Sequence, residues 1–147
     1  MRRAFTTDRI VARAPRRPHP QPAAPHWPVL SVVPARRLAV LTCMDCRVDV
    51  EAALGLRPGD AHVIRNAGAT VDKEVLRSLR LSQELGTADV IVLGHTDCRG
   101  IGDQAPRDAV TEAIGRIRRS TIPHTGAVRG VLLDVAVGTV TDVAVWR

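Results

Sequence analysis

The sequence predicts an α/β domain: a mostly parallel central sheet with flanking helices and an antiparallel hairpin at its edge. Three observations point there. Short, wholly apolar runs recur at residues 38–42 and 90–93, as strands buried on both faces require. Stretches with helical spacing separate the strand-like runs, and alternating strands and helices build a covered parallel sheet. Residues 128–137 and 140–146 flank Gly138-Thr139 and read as two strands of a hairpin.

Taken in order, residues 38–42 (Leu-Ala-Val-Leu-Thr) form the first strand, and residues 48–54 a brief helix that Gly55 ends. Arg57-Pro58-Gly59-Asp60 is a turn, and residues 61–65 are a second short strand leading into Asn66-Ala67-Gly68. Thr70 is placed to cap a helix running to about Leu85. Asp72 and Glu74 favour the dipole of its first turn, and Gly86 is its C′ stop. Residues 89–94 are the third strand. Pro106 opens a helix with Val110, Ile114 and Ile117 on one face.

Composition narrows the function classes. At 147 residues the chain holds one domain with a real core. Phe5, Trp27 and Trp146 are its only aromatics, so Val, Leu, Ile and Ala must fill that core. No apolar stretch approaches the roughly 18 residues a membrane span needs. The formal net charge of +6 is largely an N-terminal effect, with eight arginines and one acid, Asp8, before residue 38. Seven of the ten prolines fall in residues 1–35, which read as a disordered tail ahead of a domain at 36–147. The tail lacks interleaved aromatics and any groove-reading motif, which argues against nucleic acid as its partner. Arg2-Arg3-Ala4-Phe5 is followed by charges and prolines rather than an apolar segment, so an export signal is not expected. Three cysteines are an odd number for disulfides and fit a reduced, cytoplasmic setting.

Chemistry concentrates in Cys43, His95 and Cys98, each at the end of a strand-like run. Two thiolates and an imidazole suit Zn²⁺, whose tetrahedral shell then has a fourth place to fill. Left open to water, that place makes a catalytic site, because Zn²⁺ lowers the pKa of bound water to about 7. Cys46 would instead complete Cys43-x-x-Cys46 and His95-x-x-Cys98 as a closed structural site, and spacing alone leaves both readings open. A thioredoxin-like role for Cys43-Met44-Asp45-Cys46 leaves His95-x-x-Cys98 unexplained. Asp45 and Arg47 favour catalysis: a carboxylate two residues from a ligand can coordinate the metal or accept a hydrogen bond from its bound water. Arg47 would keep that carboxylate ionised. In open parallel sheets such sites lie outside the carboxyl ends of the strands, where Cys43, Asn66-Ala67-Gly68 and His95 all fall.

Cys43-Met44-Asp45-Cys46-Arg47, then Arg65-Asn66-Ala67-Gly68, then His95-Thr96-Asp97-Cys98 resemble the β-class carbonic anhydrases, most closely the short, mycobacterial-type members. The likeness spans roughly residues 36–137 and takes in Arg129-Gly130-Val131-Leu132-Leu133. It implies Zn²⁺ bound by Cys43, His95 and Cys98, with Asp45 and Arg47 as the catalytic pair and Asp45 as a fourth ligand in a closed form. It implies reversible hydration of CO₂ to bicarbonate, a pocket lined by Asn66, Ala67 and Gly68, and a homodimer or dimer of dimers. A non-catalytic zinc-binding relative acting as an interaction protein, and a CS₂ or COS hydrolase of the same family, are the alternatives. Three departures stand out. Cys46 occupies a position usually Ser or Ala. Arg99 follows Cys98 where Gly is usual, which would crowd the loop if the backbone there needs positive φ. The segment between Cys98 and Arg129 is short, and the Pro/Arg tail replaces the usual helical arm.

Of the remaining histidines, His62 is expected to be a strand residue with a satisfied ring nitrogen. His19, His26 and His124 are expected to be solvated.

Overall fold

The computed structural model describes residues 30–122 and 126–147. The tail as far as residue 29, with His19 and His26, and also His124, lie outside the described residues. The packed domain begins a little before residue 36. Pro34 is buried, and the Ala35 and Arg36 N–H groups donate to the Gly59 and Asp60 carbonyls (2.9 and 3.1 Å).

Five strands form one sheet in the order β2-β1-β3-β4-β5: β1 Leu38–Cys43, β2 Ala61–Asn66, β3 Asp89–His95, β4 Val128–Leu133 and β5 Val140–Trp146. The first four are parallel neighbours and β5 runs antiparallel to β4. Every residue of β1 is buried, as its unbroken apolar run requires. Among the described residues, no helix is long and apolar enough to cross a membrane.

The chain leaves β1 for β2 on one side and returns to place β3 on the other. The carboxyl ends of β1 and β3 are therefore a topological switch point, where connections depart in opposite directions and leave a crevice. Helices α2 (Lys73–Glu84) and α3 (Pro106–Arg118) cover one face, burying Val75, Leu79, Val110 and Ile117 against Ala39, Leu41 and Val92. Gly94 and Gly130 admit α3: a Cβ on either would lie 2.4–2.5 Å from a Val110 methyl. Among the described residues, the opposite face, with Leu38, Val40 and Leu93, meets the short α1 (Val50–Leu54) and adjoining loops.

Local chemistry moves three boundaries from their expected places. Helix α1 starts at Val50 because the Asp49 carboxylate accepts from the Ala52 N–H. Asp72, not Thr70, caps α2, accepting from the Val75 N–H, while the Thr70 hydroxyl donates to the Ala67 carbonyl. Strand β4 stops at Leu133, short of the expected residue 137. Asp134 accepts from Ala136 and Gly138 and donates its N–H to the Thr139 carbonyl, closing a wider turn. Gly86 ends α2 with φ 99°, as its position requires. His62 is satisfied at both ring nitrogens, by the Ser82 hydroxyl (2.8 Å) and the Val32 carbonyl (3.0 Å).

The buried Asp60 carboxylate ties the domain entry to the turn before β2. It accepts from the Arg57 N–H (3.0 Å) and the Arg36 guanidinium (3.2 Å). The Arg57 hydrogen bond first, then Arg36, hold its carboxyl below the usual carboxylate range. A lowered folded-state pKa adds stability that is present above the unfolded value and lost as pH falls through the folded one. Asp60→Asn should therefore lower the melting temperature at neutral pH, with the gap to wild type closing below about pH 4. Thermal melts from pH 7 to 3 measure this, and a constant gap would contradict it.

Candidate metal centre

Strands β1 and β3 end on Cys43 and His95, one position later than expected. The pairing continues past them: the Met44 N–H donates to Asn66 (2.8 Å) and the Thr96 N–H to Leu133 (2.9 Å). The Thr96 hydroxyl accepts from the Val135 N–H (3.1 Å), pinning the loop between His95 and Cys98 to the end of β4. Cys98 opens a 3₁₀ turn at Arg99–Ile101.

Backbone contact brings the two ligand-bearing loops together. Gly68, with φ 73°, donates its N–H to the Cys43 sulfur (3.3 Å), and a Cβ on Gly100 would lie 2.3 Å from the Gly68 nitrogen. Neither position has room for a side chain. Arg99 does not have the positive φ that would have made it crowd this loop, and its side chain is 93% exposed. The left-handed residue is Asp97, at φ 51°.

Cys43, His95 and Cys98 are all buried, and their ligand atoms lie within 4.8 Å of one another. The two sulfurs are 3.8 Å apart. His95 Nδ1 is fixed by the Thr96 carbonyl (2.8 Å), which leaves Nε2 as the lone-pair nitrogen. That Nε2 is buried with no hydrogen-bond partner. An orphaned buried nitrogen beside two thiols is a poor arrangement for the protein alone and a good one for a metal cation. Burial pushes the Cys43 thiol up, but the His95 imidazole and the Asp45 and Gly68 N–H groups outweigh it, and the net shift is downward. Burial likewise pushes the Cys98 thiol up, and that thiol donates to the Cys43 sulfur. The donor set of two sulfurs and one nitrogen fits zinc.

Asp45 stands beside this group, its Oδ2 4.0 Å from His95 Nε2. Arg47 grips it with three donors: Nε and the backbone N–H to Oδ1 (3.0 and 2.9 Å), and Nη2 to Oδ2 (2.7 Å). Those bonds hold the Asp45 carboxyl well below the usual carboxylate range, and Arg47 is raised in turn. Arg47 also donates to the Asp97 carboxylate (2.9 Å) and the Asp97 carbonyl (3.0 Å).

A cavity of about 10 Å³, at the lower limit for a single water, adjoins Cys43, His95 and Cys98. Gly68 borders it, whereas Asn66 and Ala67, also expected there, do not. The Asn66 amide turns away to the Thr70 carbonyl (2.7 Å), and Ala67 is exposed. The remaining wall is apolar: Ala69, Val92, Ile101, Pro106, Ala109 and Val110. Sequence reasoning missed these because each reads as ordinary core. Asp97 lies within the His95-Thr96-Asp97-Cys98 motif, where nothing in the sequence marks a role for it.

Cys46 is exposed and lies outside the ligand group, which removes support from a closed four-ligand site. Cys46→Ser should leave metal content and turnover within about twofold of wild type, as surface substitutions away from structural features generally do. Elemental analysis of the purified variant tests this, and loss of metal would return Cys46 to the coordination shell.

Residues 38–131 match the family model described as carbonic anhydrase. Beta-carbonic anhydrase 1 of Mycobacterium tuberculosis is 38% identical over 141 residues, covering 78% of this chain and 86% of that protein. A carbon disulfide hydrolase of Saccharolobus solfataricus is 51% identical over 76 residues, 49% of this chain and 37% of the relative. Among solved structures, carbonic anhydrase from Streptococcus mutans superposes with a TM-score of 0.72 at 37% identity, over 78% of this chain and 86% of that one. With the ligand geometry, the fold and the extended similarity in agreement, the chain belongs to the β-class carbonic anhydrase family.

Proposed function

We propose that this protein is a carbonate dehydratase, catalysing the reversible hydration of CO₂ to bicarbonate, with Zn²⁺ held by Cys43, His95 and Cys98. One observation carries the reading. The buried, unpartnered His95 Nε2 and two sulfurs converge on a point that a restrained carboxylate, Asp45, reaches without occupying. When bound, zinc supplies Lewis acidity and a water whose pKa is brought to about 7.

The chain's own residues do the rest. Asp45, kept ionised by Arg47, accepts a hydrogen bond from the attacking water and aims its lone pair toward the cavity. Arg47 also restrains Asp45; released from it, the carboxylate would turn to the fourth place and close the site. The small apolar wall formed by Ala69, Val92, Ile101 and Val110 suits a neutral, linear molecule of a few atoms. The main-chain donors at Gly68 and at Gly100 and Ile101 steady the two sulfurs.

The protein is proposed to act as a homodimer in a reduced, cytoplasmic setting. Val63 and Val145, on the sheet face opposite α2 and α3, are 40% and 50% exposed, and a second copy would bury them. The extended similarity to carbon disulfide hydrolase keeps CS₂ as a rival substrate. Stopped-flow hydration of CO₂ by metal-quantified protein tests the proposal, with CS₂ run in parallel. CO₂ turnover is expected. Turnover of CS₂ alone would reassign the substrate, and bound zinc without either reaction would make the chain a non-catalytic relative.

A further inference from the structure

We propose that Asp97 is a positioning residue: it anchors the Arg47 guanidinium so that Arg47 holds the Asp45 carboxylate away from the metal. The inference rests on the reading of Asp45 and Arg47 as the working pair, and it deepens that reading.

Four N–H bonds of the Arg47 guanidinium are in use, two to Asp45 and two to Asp97. Asp97 takes one through its carboxylate and one through its own carbonyl, so the guanidinium plane is fixed from both sides. Without the Asp97 arm, Arg47 is a long side chain, 41% exposed, with rotamer freedom to regain. Asp97 lies between the ligands His95 and Cys98, so the anchor moves with the metal loop rather than with solvent.

The backbone adds an independent sign. Asp97 adopts φ 51°, in the left-handed region that favours glycine. Glycine would adopt it without strain but would have no carboxylate. Outliers of this kind cluster where function requires a side chain. Arg99, whose guanidinium approaches Asp97 at 4.0 Å, is 93% exposed and is a weak competitor for it.

Asp97→Gly isolates the carboxylate, since glycine keeps the carbonyl acceptor and relieves the φ strain; Asp97→Asn keeps size and an acceptor without charge. The full chain is loaded with Co²⁺ and titrated with azide, read by visible absorption. Azide competes with Asp45 for the fourth place, so its apparent affinity falls in proportion to the open fraction. In Asp97→Gly, azide affinity and kcat/KM for CO₂ should both fall roughly two- to fivefold, the range of an exposed ion pair. The melting temperature should not fall. With Asp45→Ala in the background the blocking carboxylate is gone, and Asp97→Gly should then leave azide affinity unchanged.

An unchanged azide affinity in both Asp97 variants overturns the proposal. So does an equal loss with Asp45 already removed. Wild-type protein that binds cobalt and azide but hydrates no CO₂ refutes the proposed function, while the azide measurements, which need no turnover, still decide the role of Asp97. A chain that takes up no cobalt overturns both.

Discussion

Cys98→Ala is expected to strip the protein of stoichiometric metal and to abolish CO₂ hydration with it. Cys98 is buried and supplies one of three converging ligand atoms, so its loss leaves a two-ligand site. Disturbing groups that merely support a metal ligand already costs about 10–100-fold in affinity, and removal of a ligand should exceed the upper figure. The damage also reaches the neighbour, because the Cys98 thiol is the donor facing the Cys43 sulfur at 3.8 Å. Elemental analysis after dialysis, beside a hydration assay, measures both outcomes. Full metal retention would place the ion elsewhere.

Asp45→Ala should behave differently, losing kcat/KM by a factor on the order of a hundred or more while metal stays stoichiometric. The carboxylate is not one of the three grouped ligands, yet it is the acid group nearest His95 Nε2. Folding stability should hardly change, since Arg47 is 41% exposed and ion pairs so placed contribute little. The pairing of lost turnover with retained metal is the diagnostic result. A variant that loses zinc would make Asp45 a permanent ligand, and one that keeps full activity would remove it from the chemistry.

Much of the architecture was legible because its signals are local. A strand that opens on the apolar run Leu38-Ala39-Val40-Leu41 has few alternatives, and helices ended by Gly55 and Gly86 stop where a left-handed residue is cheap. The grouping of Cys43, His95 and Cys98 was legible for the same reason: each follows an apolar run, and the three side chains are brought together at the sheet end.

What escaped depends on contacts across the fold. Thr70 and Asp72 are both good caps, and only the position of the Ala67 carbonyl, which takes the Thr70 hydroxyl, decides between them. Strand β4 stops early because Asp134 builds its own turn and Val135 bonds to Thr96 across the sheet end. The resemblance implied Asn66 and Ala67 on the cavity beside Gly68, but a 3₁₀ turn at Ala67–Ala69 turns only Gly68 and Ala69 toward it. Asp97 carried no signal of its own, since an acid next to a cysteine ligand looks like surface charge until Arg47 is seen spanning fifty residues to reach it.

The proposed function requires a metal gripped by two sulfurs and one nitrogen, with its fourth place free of sulfur. X-ray absorption at the zinc edge of the purified protein reads that shell directly. The predicted result is two sulfur neighbours at about 2.3 Å and two light atoms at about 2.0–2.1 Å. Three sulfurs would put Cys46 in the shell and close the site, and an absence of sulfur would contradict the ligand assignment altogether.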